Sequence, residues 1–198
     1  MTRLRLSRLG RDQSGITIVE FGIVAPVLLL MLMGFFDLAH RAYAQTILQG
    51  ELEDAGRDST LQTGAINTAS LDAQVQSIVR KVVGPSATFT PLRLSYTNFS
   101  DIGTPERFVD LAPLNNRYDA GECFEDVNGN GVWDADRGRT GQGSAQDAVV
   151  YRITVAYPRL FPMAGLLGWS ETQEIRASTV LRNQPFAPQT IPPVTVCT

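Results

Sequence analysis

The chain has 198 residues, a formal net charge of −3 and a hydrophobic fraction of 43%, which leaves room for one membrane segment and one modest domain beyond it. The charge is unevenly placed. Arg3, Arg5, Arg8 and Arg11 are opposed only by Asp12, whereas residues 45–198 hold 12 basic and 17 acidic side chains, so no basic patch for nucleic acid is expected.

The first predicted element is a membrane helix over residues 16–36, apolar apart from Thr17, Glu20 and the glycines Gly22 and Gly34. At a helical rise of about 1.5 Å per residue it spans roughly 30 Å, the thickness of a bilayer core. The arginines of residues 1–15 precede it, and the positive-inside rule places them in the cytoplasm and the rest of the chain outside, in the periplasm. Pro26, which would break a soluble helix, is tolerated in a membrane span. Glu20 is less easily accommodated: a carboxylate in an inserting helix costs about 2.5–3.5 kcal/mol, reduced near a helix end by snorkelling. Cleavage after Gly15 would give it a role. A new amine on Ile16 would stand one turn before Glu20, and the two charges could pair between neighbouring helices in lipid.

The run Arg11-Asp12-Gln13-Ser14-Gly15-Ile16-Thr17-Ile18-Val19-Glu20-Phe21, followed by Val24-Ala25-Pro26-Val27-Leu28-Leu29-Leu30, resembles the TadE family. These are minor pseudopilins of the tight-adherence (Tad), or Flp-type, pilus system. The family pattern is a glycine, four mostly apolar residues, Glu-Phe, and an apolar run that commonly contains a proline. The resemblance implies cleavage after Gly15 by a prepilin peptidase on the cytoplasmic side, with Ile16, Glu20 and Phe21 serving assembly. It also implies partners: other Tad pilins and pseudopilins, and the pilus assembly platform in the inner membrane. The length favours TadE or its sibling TadF. Two plainer readings compete. Ala42-Tyr43-Ala44 could end a secretory signal peptide, although the apolar run is long for one and carries Glu20. Alternatively the helix is a permanent anchor in which Glu20 is incidental, holding a periplasmic calcium-binding structural domain of an envelope complex.

Residues 37–83 read as helical. Leu38, Ala42, Ile47, Leu48, Leu52 and Ala55 recur at three- and four-residue spacing, with Asp37 and Arg41 placed as an i,i+4 pair. Residues 57–68 are polar and turn-rich. A second helix is predicted from Ser70 as N-cap through Leu71, Val75, Ile78, Val79 and Val82, ending at Gly84-Pro85. From residue 84 to 183 the apolar period changes to two. Strands are predicted over residues 88–90, 92–96, 148–157 and 174–182, with a weaker candidate at 108–111. Two helices followed by strands give an α+β fold: a membrane helix extended into a periplasmic head with a second helix and a small antiparallel sheet. Residues 160–169 are apolar and Gly-rich; they could cover the sheet or touch the membrane or a partner, and core packing is the favoured use. The Pro-rich tail, residues 184–198, is expected to be extended.

A long acidic, Gly/Asn-rich loop is expected over residues 115–147. Within it, Asp126, Asn128 and Asn130, then Gly131, reproduce the first half of an EF-hand calcium loop, D-x-[DN]-x-[DN]-G. The Val132 carbonyl would be the next ligand. The twelfth position is Arg137 instead of a bidentate glutamate, so Asp134 or Asp136 would have to substitute. The plain alternative is a solvated turn, for which Asn-Gly-Asn-Gly is also suited. Bound calcium here would be structural, and no other cofactor is expected. Cys123 and Cys197, the only cysteines, suit one disulfide in an oxidising compartment, the alternative being two unpaired thiols. No G-x-S-x-G, H-E-x-x-H or P-loop motif occurs. The only histidine is His40, beside the membrane run, so the chain is not expected to be an enzyme.

Overall fold

The computed structural model describes residues 16–60, 67–161, 164, 165, 168–184 and 194–197. The elements are α1 (Ile16–Ser59), α2 (Thr68–Val83), β1 (Thr88–Tyr96), a 3-10 turn (Phe99–Asp101), β2 (Cys123–Asp126), β3 (Arg139–Thr140), β4 (Ala148–Pro158), β5 (Thr172–Arg182) and β6 (Val194–Cys197). The α+β class expected from the sequence is the class observed. Two compact units are defined: residues to Ala42 with Arg159–Glu171, and Tyr43–Pro158 with Thr172–Thr198.

In the larger unit, β1, β4 and β5 form an antiparallel sheet with short β3 on its far edge, in the order β3-β1-β4-β5. Strand β4 is the centre. It pairs with β1 from Ala148 opposite Tyr96 to Ala156 opposite Thr88, and with β5 from Ala148 opposite Arg182 to Pro158 opposite Thr172. Pro91 lies within β1, joining two stretches that the sequence suggested separately. It is accommodated because β3 pairs only at Leu94 and Ser95, leaving the edge at Pro91 without a ladder to break.

The core follows from two periodicities. Ala44, Leu48, Leu52 and Ala55 fall on one face of α1, and Val75, Val79 and Val83 on one face of α2. Ile153, Val155 and Tyr157 of β4 and Ile175 and Ala177 of β5 alternate inward, and all of these residues form one cluster. Two helical stripes thus cover one face of an antiparallel sheet. Gly56 allows close approach: a Cβ there would lie 2.9 Å from Leu181 Cδ1. The end of α1 is tied down by polar groups. Gln142 Nε2 donates to the Ser59 carbonyl (3.0 Å) and to Asn183 Oδ1 (3.1 Å), while Asn183 Nδ2 donates to the Gln142 carbonyl (2.6 Å).

Two expectations are corrected. Ser70 does not cap α2: the helix begins at Thr68 after Asn67, and the Ser70 hydroxyl bonds the Asn67 carbonyl (2.8 Å) from inside the first turn. Helix α1 runs on to Ser59, past the turn expected from residue 57, because Ser59 is buried with the apolar stripe. The tail, expected to be extended, is so over its described end, where β6 pairs with β2, Cys123 opposite Cys197. Those two cysteines form a disulfide. The weak candidate at residues 108–111 survives as a single bridge, Phe108 opposite Phe124, with the Val109 amide on the Cys123 carbonyl (2.8 Å).

Candidate functional site

Two places carry the residues singled out by the sequence. The first is the N-terminal part of α1. Gly15 lies outside the described residues, and Ile16 is the first described residue of α1. Glu20 and Phe21 follow in the helix, both exposed. Glu20 is four positions on from Ile16, about 6 Å along the axis and slightly more than one full turn, so the two positions share a face. The helix continues through Pro26 without interruption. Ile18, Val19, Phe21, Ile23, Val24, Val27 and Leu29 are all exposed, and their positions are spread around the axis. A helix apolar on all sides and left exposed among the described residues needs lipid or other apolar helices around it. By length and composition α1 is able to cross a membrane.

Asp37, the first charged residue after the apolar run, is only 3% exposed and is ion-paired with Arg159. The expectation that residues 160–169 pack into the core is overturned. Leu160 is 54% and Trp169 53% exposed, and of the described residues in that stretch only Ala164 is buried. The turn is instead closed on itself, with the Trp169 amide on the Ala164 carbonyl (2.9 Å).

The second place is the loop after β2. Asp126 caps it: one carboxylate oxygen accepts the Gly129 amide (2.7 Å) and the Asn130 amide (3.2 Å), the other the Gly131 amide (2.9 Å). Gly129 and Gly131 sit at φ of 78° and 77°, a region glycine enters without strain. Asn128 and Asn130 converge on Asp134, whose Oδ2 accepts their side-chain amides at 2.7 and 2.6 Å. Asp136 is not brought into this group. Both its oxygens accept the Tyr96 hydroxyl, at 2.9 and 3.0 Å, and Asp136 Oδ1 also accepts the Gly138 amide (3.2 Å). Burial, and then that hydrogen bond, push the Tyr96 hydroxyl up to about 12. Arg137, at the twelfth loop position, donates to the Pro105 carbonyl (3.1 Å).

Sequence reasoning missed the residue that organises this loop. Glu106, 1% exposed, accepts the Val127 amide (2.7 Å) on one oxygen and the Asp134 amide (3.1 Å) on the other. Its own carbonyl accepts the Trp133 indole N–H (2.9 Å). Trp133 stacks on Tyr118 at 5.0 Å, and Phe108 meets both edge-on at 6.1 Å. A buried carboxylate that accepts backbone N–H groups is a structural hub in place of a bound ligand. Among the described residues no group of three or more His, Cys, Asp or Glu side chains is placed to hold a metal ion. Of the ligands expected from the sequence, Asp126 and Asp134 bring carboxylates to this loop, beside the buried carboxylate of Glu106.

No curated protein and no solved structure matches the chain. The family signature lies in α1: residues 15–57 match the TadE-like protein family, in the segment where Gly15, Ile16, Glu20 and Phe21 had suggested that resemblance.

Proposed function

We propose that the chain is a minor pseudopilin of the Tad pilus system, acting in adherence as a structural component with no catalytic role. The family match ties it to that system, and the observation that carries the finer reading is where the match starts. It opens at Gly15, with Ile16 next and Glu20 about one helical turn beyond Ile16. In this reading a prepilin peptidase cleaves after Gly15 at the cytoplasmic face of the bacterial inner membrane. The Glu20 carboxylate then pairs with the new Ile16 amine of an adjacent subunit. The exposed apolar faces of α1 exchange lipid for other pilin helices, and the head engages further pilins, pseudopilins or the assembly platform from the periplasm.

The test is Glu20→Ala in the native host. Processing and membrane insertion should persist while assembly of surface pili falls. Undiminished pili with Glu20→Ala would refute the pairing role and favour a permanent anchor.

We also propose that the loop from Asp126 to Asp134 takes calcium, through Asp126, Asn128, Asn130, the Val132 carbonyl and Asp134, as a structural ion. The D-x-N-x-N-G spacing supports this, and it requires Asn128 and Asn130, which reach Asp134 through their N–H₂ groups, to turn their side-chain oxygens to the ion. With two carboxylates, each already hydrogen-bonded, affinity belongs in the weak extracellular range of about 10⁻⁴–10⁻³ M. Thermal stability that is equal in millimolar calcium and in chelator would count against it.

A further inference from the structure

The turn between β4 and β5, Arg159–Glu171, belongs to the same compact unit as the membrane part of α1. Arg159 fixes it there with three kinds of contact. Its guanidinium is ion-paired with Asp37. Its backbone amide donates to the Glu171 carbonyl (2.9 Å) and its Nε to the Ser170 carbonyl (2.7 Å), closing the neck of the turn. The same guanidinium lies 5.6 Å from the Trp169 ring centroid.

Asp37 directly follows Phe35 and Phe36, the last residues of the apolar run, both exposed. The ion pair therefore holds the turn at the level where α1 leaves the hydrocarbon. At that level the turn presents Leu160 and Trp169, each more than half exposed, and residues 160–169 contain no charged side chain. An indole has an apolar body and one N–H donor, which favours the headgroup region over both water and hydrocarbon. The Arg159 guanidinium is neutralised by Asp37 and does not need full hydration. We propose that this turn is an interfacial membrane foot: Trp169 and Leu160 seat in the headgroup layer on the side where α1 emerges, continuing the lipid-facing surface of the helix. The occupant is the lipid surface itself, and the inference rests on the membrane reading of α1.

The full chain is reconstituted into phosphatidylethanolamine/phosphatidylglycerol vesicles, recovered by flotation, and its tryptophan emission measured with lipids brominated near the headgroup or near the chain end. The Trp169→Phe chain keeps Trp133 in place, so the difference between the two proteins isolates Trp169. The expected result is a loss of Trp169 emission that is larger with shallow than with deep bromines, with Trp133 unquenched. A chain that floats but whose Trp169 is unquenched and open to acrylamide overturns the foot alone. Trp169 shielded from acrylamide yet unquenched by either lipid identifies a protein partner, and also overturns it. A chain that does not float overturns the foot together with the membrane reading of α1.

Discussion

Asp72 and Arg93 join α2 to β1 by a two-pronged pair, Nη1 to Oδ2 at 2.8 Å and Nη2 to Oδ1 at 2.7 Å. The guanidinium lies 3.8 Å from the Tyr151 ring centroid, and the Tyr151 hydroxyl also bonds Asp72. Burial, then the Asp72 bond, push that hydroxyl's pKa upward. The side chains are 9% and 14% exposed for Arg93 and Asp72, so Asp72→Ala leaves a nearly dry cation facing a phenol. Removing one partner of a buried pair costs about 3–5 kcal/mol. The residual exposure of Asp72 and the surviving cation–π contact place this case near the lower end, about 3 kcal/mol. For a chain of this size that is a fall in Tm of about 6–12 °C, read by thermal denaturation of the full chain in detergent micelles. The pair Asp72→Leu with Arg93→Met removes both charges and should recover more than half of the loss. A single-variant shift below about 3 °C, or a double variant as unstable as the single, would refute the reasoning.

Three further outcomes are expected. Burial, then the Asp136 hydrogen bond, push the Tyr96 hydroxyl from its ordinary value of 10.0 up to about 12, so its contribution is complete below pH 10 and is lost as pH rises through 12; Tyr96→Phe should flatten that alkaline loss in urea titrations taken across the interval. Gly143 sits at φ +71° with space for a Cβ blocked by Ser95 Cβ at 2.5 Å, whereas Gly129, at φ +78°, has nothing within 4 Å. Gly129→Ala should therefore cost about 1 kcal/mol and Gly143→Ala distinctly more, and equal costs would remove the steric argument. Glu106→Gln turns an amide N–H₂ toward backbone donors in a buried site, with an expected loss of about 2–3 kcal/mol. Hydrogen exchange should show the Val127 and Asp134 amides losing protection ahead of β4.

What was legible in the sequence was periodic. Leu48 and Leu52 with Ala55, and Val75 with Val79, announce helical faces, and the alternation through Ile153, Val155 and Tyr157 announces β4. These patterns are imposed by burial against one sheet, so they survive in the chain itself. The short strands were not legible. Strands β2 and β6 are four residues each, too short for a period, and they are held in register beside a disulfide between residues 74 apart in sequence. Glu106 gave no signal because its partners, Val127 and Asp134, lie more than 20 residues away. Asp136 was grouped with the calcium-type ligands by its spacing, but Tyr96 draws it off to the sheet. The apolar stretch at residues 160–169 was assigned to the core by composition, since composition does not distinguish a buried surface from one that faces lipid. The loop motif and the Gly15 to Phe21 pattern are local, and for that reason both could be read directly.

The claim on which the functional account turns is that cleavage after Gly15 makes Ile16 the N-terminus of the mature chain. N-terminal sequencing with intact mass, on the chain purified from its native membranes, tests it directly. The account predicts a mature protein starting at Ile16. A start at Met1 or Thr2 would leave a permanent anchor, and a start at Gln45 a secreted domain; either would contradict the pseudopilin assignment.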